Sequence, residues 1–184
     1  SATGAIPVPC DVEEEFLSID LKDAEKKISP RTKAIMPVHY AGCPGKLSEV
    51  YKFASKYKLR IVEDAAHAFG SKYKGKLVGS FGDISCFSFD GIKNITSGEG
   101  GCVVTNDKNV IESVSDARLL GVEKDTEKRF QGKRSWDFDV TRQGWRYHMS
   151  NIMAAIGIQQ LKKFNKFANR RKQIASAYDK LLSS

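Results

Sequence analysis

The sequence predicts an α/β protein in which a largely parallel sheet is covered by helices. Through roughly the first hundred of its 184 residues, short apolar runs of strand character alternate with amphipathic stretches of helical period. This alternation is typical of βαβ units, which build parallel sheets with helices on their faces. A hydrophobic fraction of 41% and an aromatic fraction of 10%, without any block of like charges, indicate a globular chain rather than a disordered one.

The predicted elements follow one another in a regular order. An apolar run at 5–10 is broken by prolines. Runs with clearer strand character lie at 33–38, 59–62, 83–89 and 101–105. Amphipathic stretches occupy 21–28, 46–57 and 108–119. The inner face predicted for the stretch at 46–57 carries Leu47, Val50, Tyr51 and Ala54. The inner face predicted for the stretch at 108–119 carries Val110, Val114, Ala117 and Leu120. A Gly-rich turn separates the last two strand-like runs.

The second part of the chain has a different organisation. A polar stretch from Glu123 to Arg146 contains Trp136 and Trp145 without a clear period, which predicts a long functional loop. Ser150 then suits the N-cap of a long helix. One side of this helix carries Ile152, Ala155, Ile156, Gln159, Phe164 and Phe167, and the other side is rich in Lys and Arg. We therefore divide the chain into a large-domain portion at 1–122, a loop at 123–149 and a helix at 150–184.

Charge is distributed unevenly along the chain. With 30 basic and 22 acidic side chains the formal net charge is +8. Residues 105–184 hold 16 basic and 9 acidic residues, whereas 1–104 hold 14 and 13. No basic run is interleaved with stacking aromatic residues, so we expect a solvated helix face or a pocket for an anionic small molecule rather than a nucleic-acid site. No apolar run approaches the roughly 18 residues of a membrane span, so no membrane partner is expected.

The four cysteines do not form a recognisable framework. Cys10, Cys43, Cys86 and Cys102 are far apart, with no CxxC pair and no His at metal-ligand spacing. This predicts neither a metal site nor disulfides. Reduced thiols are typical of a cytoplasmic protein.

Three polar side chains stand at the predicted carboxyl ends of strands, where ligands bind in open α/β sheets. Asp64 stands at the end of the buried run at 59–62, just after Glu63, although it could equally be a helix N-cap. Ser88 ends the next strand, and Lys93 lies in the turn that follows. A lysine beside a Gly-rich turn could also simply be solvated.

The combination of these groups is more specific than any one of them. Pyridoxal 5′-phosphate (PLP) needs a lysine amine for its Schiff base, a carboxylate that keeps its pyridine nitrogen protonated, and hydroxyl or amide donors for its phosphate. Lys93, Asp64 and Ser88 supply these three types of group.

Three ordered segments resemble one known family. They are TKAIMPVHYAGCPGKLSEV, then DAAHAFGSKYKGKLVGSFGDISCFSFDGIKNITSGEGGCVVTND, and finally GWRYHMSNIMAAIGIQQLKKF. Together they resemble the sugar-nucleotide aminotransferases of the DegT/DnrJ/EryC1/StrS family, from about Ala5 to the C-terminus. The resemblance implies the three-layer αβα large domain of the aspartate aminotransferase type (fold type I), present in part.

The resemblance also implies a role for each residue of the site. Lys93 would form the Schiff base with PLP and then move the proton, and Asp64 would pair with the pyridine nitrogen. His67, where many relatives have Gln, would lie near the phenolic oxygen of the cofactor, and Ser88 would bind its phosphate. Relatives with His in place of the lysine are dehydratases, so Lys93 favours transamination.

The family motif Gly-x-Asn-Tyr-Arg-Met reads differently in this chain. Arg146 replaces the Asn that reaches the phosphate of the neighbouring subunit's cofactor in a homodimer with shared active sites, and His148 replaces the Arg. Arginine also binds phosphate, but Arg146 could instead be a solvated loop residue. His39 and Tyr40, after the strand at 33–38, are expected on the substrate side, and a purely structural role is equally open.

The resemblance implies PLP-dependent transamination of a nucleotide-linked keto-sugar with glutamate as donor, in amino-deoxysugar biosynthesis. Family members begin upstream of Ala5 and continue past Ser184 into a small domain, so we expect a fragment that by itself binds PLP poorly. The alternatives are another PLP-dependent enzyme or regulatory relative of this fold, and a non-catalytic α/β binding module.

Overall fold

The computed structural model describes residues 3–123, 131–133, 138–140 and 142–183. The chain divides into two compact units, Ser1–Ser88 with Gly101–His148, and Phe89–Gly100 with Met149–Ser184. Part of the predicted loop at 123–149, with Trp136, lies outside the described residues.

Among the described residues of the first unit, six strands form two sheets. In chain order they are β1 (Ala34–Ile35), β2 (Arg60–Asp64), β3 (Lys72–Tyr73), β4 (Lys76–Leu77), β5 (Ile84–Ser88) and β6 (Gly101–Thr105). The main sheet has the order β1-β2-β5-β6. β1 and β2 are parallel, as are β2 and β5, whereas β5 and β6 are antiparallel. The mostly parallel α/β sheet that the sequence predicts is therefore confirmed, and β3 and β4 form a separate hairpin.

In the described part of the same unit, three α-helices fall where the sequence predicts them. They are α1 (Leu21–Lys27), α2 (Leu47–Tyr57) and α3 (Lys108–Ala117). The Asp20 carboxylate accepts a hydrogen bond from Lys22 N (2.8 Å) at the start of α1, and the Asp107 carboxylate accepts one from Asn109 N (3.0 Å) at the start of α3. These carboxylates satisfy amides that the first turn of a helix leaves without partners.

The core of this unit forms between helices α1 and α2 and strands β1 and β2. Its buried members are Ala24, Ile35, Val50, Phe53, Ala54 and Ile61. Tyr51, predicted on the inner face of α2, is half-buried and packs against this core, and Phe53 of the same helix also belongs to it. The apolar side of α2 thus packs against β1 and β2, and β2 carries Asp64.

An ion-pair network joins the amino-terminal ends of β2 and β5 to Asp107 at the start of α3. Arg60 Nη2 lies 2.6 Å from Asp83 Oδ1, and Arg60 Nη1 lies 3.2 Å from Asp107 Oδ2. The second Asp83 oxygen accepts a hydrogen bond from Ile61 N (2.6 Å). These contacts fix β2 against the segment that enters β5, at the end of the sheet opposite Asp64.

The second unit contains the long helix α4 (Asn151–Leu182). Ser150 Oγ accepts a hydrogen bond from Met153 N (3.3 Å), which confirms the predicted N-cap. The predicted apolar side of α4 is largely exposed in the described chain, with Ile152 77% and Ile156 43% accessible. Across the described ranges, no helix is both long enough and apolar enough to span a bilayer.

Candidate functional site

The structure brings Asp64 and Ser88 to one pocket. This open pocket of about 300 Å³ lies in the first unit, at the carboxyl ends of the parallel strands β2 and β5. Its lining residues are Met36, Val62, Glu63, Asp64, Ala66, Cys86, Phe87 and Ser88. The pocket lies at the ends of parallel strands, where the sequence predicts a ligand.

Asp64 is held by its backbone and by its side chain. It is the last residue of β2, and its amide donates to Pro37 O (2.9 Å). Its Oδ1 accepts a hydrogen bond from Ala66 N (3.1 Å). Residues 65–71 form turns and no helix begins there, so Asp64 is not a helix N-cap. The side chain instead closes a turn that keeps a half-buried carboxylate at the pocket wall.

Ser88 is positioned by the pairing of β5 with β6. It ends β5 opposite Gly101, the first residue of β6. A Cβ on Gly101 would lie 2.4 Å from Phe87 O, closer than side-chain carbons approach a backbone oxygen. The close approach of the two strands therefore requires glycine at 101, and it fixes the backbone that carries the Ser88 hydroxyl.

Cys86 contributes a neutral thiol to the pocket. Burial raises the pKa of Cys86, and the nearby Asp64 and Glu63 carboxylates raise it further. The thiol therefore stays protonated near neutral pH. Each of the four cysteines is free, and each is half-buried.

Lys93 belongs to the second unit, on a loop with many internal hydrogen bonds. Lys93 N donates to Asp90 O (3.1 Å), and Ile92 N donates to the Asp90 carboxylate (3.1 Å). At the two ends of the loop, Phe89 N donates to Gly100 O (2.8 Å). The lysine is half-buried on this hydrogen-bonded loop rather than fully solvated.

The same loop packs against helix α4. Arg171 Nη1 donates to Asn94 O (3.0 Å). A Cβ on Gly157 would lie 3.3 Å from Ser97 Cβ, so the helix approaches the loop closely at this glycine. Ser97 is 1% exposed, and its hydroxyl donates to Glu99 O (2.7 Å). The backbone around Lys93 thus has defined contacts within its unit.

His39 and Tyr40 differ in their surroundings although they are neighbours in the chain. His39 is 1% exposed, and its Nε2 lies 2.7 Å from Glu63 Oε2. This burial favours the structural role that the sequence leaves open for His39. Tyr40 is 52% exposed, and its ring meets the exposed His67 ring edge-on with 6.3 Å between centroids.

Arg146 lies on a short extended segment of the first unit. It forms an antiparallel bridge with Leu119, and its side chain is exposed. The flanking Trp145 and Tyr147 rings are stacked with 6.3 Å between centroids. The segment is therefore ordered by backbone pairing while it presents the guanidinium to its surroundings.

The sequence predicts neither Glu63 nor Tyr51 as a site residue. Glu63 is fully buried, and Tyr51 donates its hydroxyl proton to Glu63 Oε1 (2.6 Å). One signal was available in the sequence: Glu63 follows the buried Ile61 by two positions in a strand, so it must face the same inner side. A buried carboxylate in such a place needs partners.

Comparison with known proteins gives a consistent match over the chain. The sequence profile of the DegT/DnrJ/EryC1/StrS aminotransferase family matches residues 1–184. GDP-perosamine synthase of Escherichia coli O157:H7 is 43% identical over 182 residues, which cover 99% of this chain and 47% of that protein. The chain therefore spans about half the length of the curated relatives that it matches.

Solved structures have the same fold. PseC of Helicobacter pylori, an aminotransferase involved in the biosynthesis of pseudoaminic acid, superposes with a TM-score of 0.86 and 36% identity, over 97% of this chain and 46% of that one. A Streptococcus pneumoniae protein classed as a sugar aminotransferase, in its PLP form, superposes with a TM-score of 0.84 and 30% identity, over 97% of this chain and 48% of that one.

Proposed function

The chain belongs to the DegT/DnrJ/EryC1/StrS aminotransferase family, and from this premise we propose that its full-length protein is a PLP-dependent aminotransferase that converts a nucleotide-linked keto-sugar into an amino sugar. The observation that carries the proposal is the pocket at the carboxyl ends of β2 and β5, where a carboxylate and a hydroxyl face one space. Both groups are of the types that PLP requires.

The residues of the pocket fit PLP in size and in chemistry. A volume of about 300 Å³ lies at the lower end of the range of small-molecule sites, about 300–1,000 Å³. When bound, PLP supplies an electron sink for the negative charge that develops on the carbon next to the reacting nitrogen. Asp64 would hold a proton on the ring nitrogen, and Ser88 would donate a hydrogen bond to the phosphate.

Lys93 is the amine in this proposal. Its place five residues after Ser88, on a hydrogen-bonded loop, supports a lysine with a defined backbone position. Its Nζ would attach the cofactor and would then move the proton at the reacting carbon. Transfer of a proton by a positioned side chain is worth about 10²–10⁴-fold in rate.

His67 and Tyr40 would lie on the outer side of the site. Both rings are exposed and in contact with each other. We assign His67 to the phenolic oxygen of the cofactor and Tyr40 to the substrate. His39 keeps an indirect role through Glu63, since its ring is buried.

We also propose glutamate as the amino donor and a homodimer with shared sites. In the net reaction, the amino group of glutamate replaces the carbonyl oxygen of the sugar, and 2-oxoglutarate leaves. The exposed Arg146 side chain is available to reach the cofactor phosphate of a second subunit. A cytoplasmic location is proposed because the four cysteines are free thiols.

The test traces the amino nitrogen from glutamate to the sugar. Full-length protein with PLP is incubated with nitrogen-labelled glutamate and a panel of nucleotide-linked keto-sugars, and the sugars are analysed by mass spectrometry. The proposal predicts labelled amino sugar from at least one substrate. Consumption of glutamate without label in any sugar would indicate another PLP reaction, and absence of PLP binding would indicate a non-catalytic module.

A further inference from the structure

A hydrogen-bonded network of three residues is centred on Glu63, which is among the residues that line the pocket. Glu63 is fully buried, and both its carboxylate oxygens have partners. Tyr51 from α2 donates its hydroxyl proton to Oε1 (2.6 Å), and His39 Nε2 lies 2.7 Å from Oε2. His39 is 1% exposed. We call these three residues the Glu63 network.

Burial of the Glu63 carboxylate destabilises the fold unless each of its hydrogen bonds is present. Burial and the hydrogen bond to Glu63 raise the pKa of Tyr51, so its hydroxyl keeps the proton that it donates. A buried carboxylate contributes little net stability compared with an apolar side chain of the same volume, but loss of one of its partners leaves it uncompensated. A carboxylate with both oxygens engaged is also restricted to one orientation. The network therefore determines geometry more than it determines stability.

The geometry in question is that of the pocket residue Asp64. Glu63 and Asp64 are consecutive in β2, so their side chains project to opposite faces of the sheet. His39 N donates to Asp64 O (3.0 Å), and Asp64 N donates to Pro37 O (2.9 Å). The segment 37–39 thus holds both backbone groups of Asp64.

The attachment of this segment depends on the His39 side chain. β1 consists only of Ala34–Ile35, and the pairing with β2 beyond it is the bridge between Val38 and Asp64. Directly after the bridge, the His39 ring joins the buried Glu63 carboxylate. The ring therefore anchors the segment at the point where the short strand no longer does.

We propose that the Glu63 network positions the Asp64 carboxylate at the pocket, with His39, Glu63 and Tyr51 acting as positioning residues. This inference rests on the proposed function, in which Asp64 pairs with the cofactor. It gives His39 and Glu63 a role in the site although neither would touch the substrate.

The test uses Glu63→Gln and the milder Tyr51→Phe in the full-length protein. The matched control is Asp83→Asn, which breaks an ion pair of similar length at the opposite end of β2. The first readout is amide hydrogen exchange without cofactor. Glu63→Gln should lower the protection of the His39 and Asp64 amides by about tenfold or more, the effect of losing a hydrogen bond to a charged group. Tyr51→Phe should act on the same amides more weakly, and Asp83→Asn should act on Ile61 instead.

The second readout is kinetic and needs the loaded enzyme. Glu63→Gln should lower kcat by about tenfold or more while KM for glutamate changes less than about twofold, the pattern of a misplaced group that acts in the transition state. Asp83→Asn should leave kcat unchanged.

The two readouts separate the two claims. If protection at His39 and Asp64 is unchanged in Glu63→Gln, or falls only in parallel with every other amide of the sheet, the positioning role is wrong. If that protection falls selectively but kcat of a working enzyme is unchanged, the role in the site is also wrong. A wild-type protein that binds no PLP overturns the proposed function, and hydrogen exchange then decides the positioning of Asp64 by itself.

Discussion

The Asp64 carboxylate accepts a hydrogen bond from the backbone N–H of Ala66, with 3.1 Å between Oδ1 and N. Carboxylates at strand ends often cap the helix that follows, but residues 65–71 form turns. The bond therefore closes a local turn of the kind that Asp side chains favour. Its effect is to hold the carboxylate at the wall of the pocket that Ser88 also lines.

Asp64→Asn is expected to remove the negative charge at the pocket while the turn at Asp64 is retained. The amide oxygen of Asn can still accept from Ala66 N, so the fold is retained while the negative charge is lost. We expect kcat of the full-length enzyme to fall about 10²–10³-fold, the usual effect of removing one preorganised electrostatic partner. Steady-state kinetics measures this. Asp20→Asn, which changes an equivalent carboxylate-to-amide bond at the start of α1, should leave kcat unchanged. Wild-type kcat in Asp64→Asn would contradict the role of the charge.

Gly101→Ala is expected to disturb the strand pair that carries Ser88. The added Cβ would meet Phe87 O at 2.4 Å, so the backbones of β5 and β6 must separate. Overpacking of this kind costs about 1–3 kcal/mol in free energy of unfolding. Urea denaturation of the full-length protein measures the cost, and PLP titration should show weaker binding. Gly91→Ala, whose Cβ has an ordinary 3.8 Å contact, serves as the stability control. Equal urea midpoints of unfolding for Gly101→Ala and Gly91→Ala would contradict the prediction.

Leu47→Ala tests the core beneath the site. Leu47 is 0% exposed at the start of α2, and truncation of a fully buried leucine costs about 2–5 kcal/mol in free energy of unfolding. Leu77→Ala, at a leucine that is 52% exposed in β4, should cost less than about 0.5 kcal/mol. Chemical denaturation compares the two variants. A similar loss in both would mean that α2 does not anchor the sheet.

The Arg60–Asp83 pair predicts a particular dependence of stability on pH. Burial alone would raise the pKa of Asp83, but hydrogen bonds from Arg60 and Ile61 N outweigh it and hold that pKa below its ordinary value. A carboxyl with a depressed pKa in the folded state stabilises the fold above its unfolded pKa, about 3.9, and loses this contribution as pH falls further. Since Arg60 is half exposed, we expect about 1 kcal/mol.

Unfolding of the full-length protein followed between pH 6 and about pH 3 measures this contribution. Asp83→Asn and Arg60→Gln should each flatten the acid limb, and the double variant should add little, because both changes remove the same interaction. An acid limb that is unchanged in both single variants would show that the pair does not couple to folding.

The sequence predicts the main elements well because they have clear periodicity. The amphipathic stretch at 46–57 corresponds to α2, and the run at 101–105 has the bounds of β6. The hairpin of β3 and β4 is missed because two-residue strands have no detectable period. In the structure, the turn residues Lys74 and Gly75 both have positive φ, as a two-residue hairpin turn requires.

Site residues can be predicted from the sequence where a single polar residue follows an apolar strand. They are harder to predict where residues that contact each other lie far apart in the chain. Asp64 and Ser88 stand out because polar groups follow apolar strands, and both line the pocket. The partnership of Glu63 with Tyr51 and His39 joins residues 12 and 24 positions apart, and only the packing of α2 and segment 37–39 on β2 brings them together. The antiparallel direction of β6 likewise depends on how the 89–100 loop returns, which periodicity does not encode.

The central claim is that Lys93 carries the cofactor. Full-length protein incubated with PLP, reduced with borohydride, digested and mapped by mass spectrometry tests it directly. Attachment at Lys93 predicts a pyridoxyl group on the peptide that contains this lysine. The group and turnover should both be lost in Lys93→Ala but not in Lys108→Ala, which removes a lysine at the start of α3. A pyridoxyl group on another lysine, or turnover retained in Lys93→Ala, would contradict it.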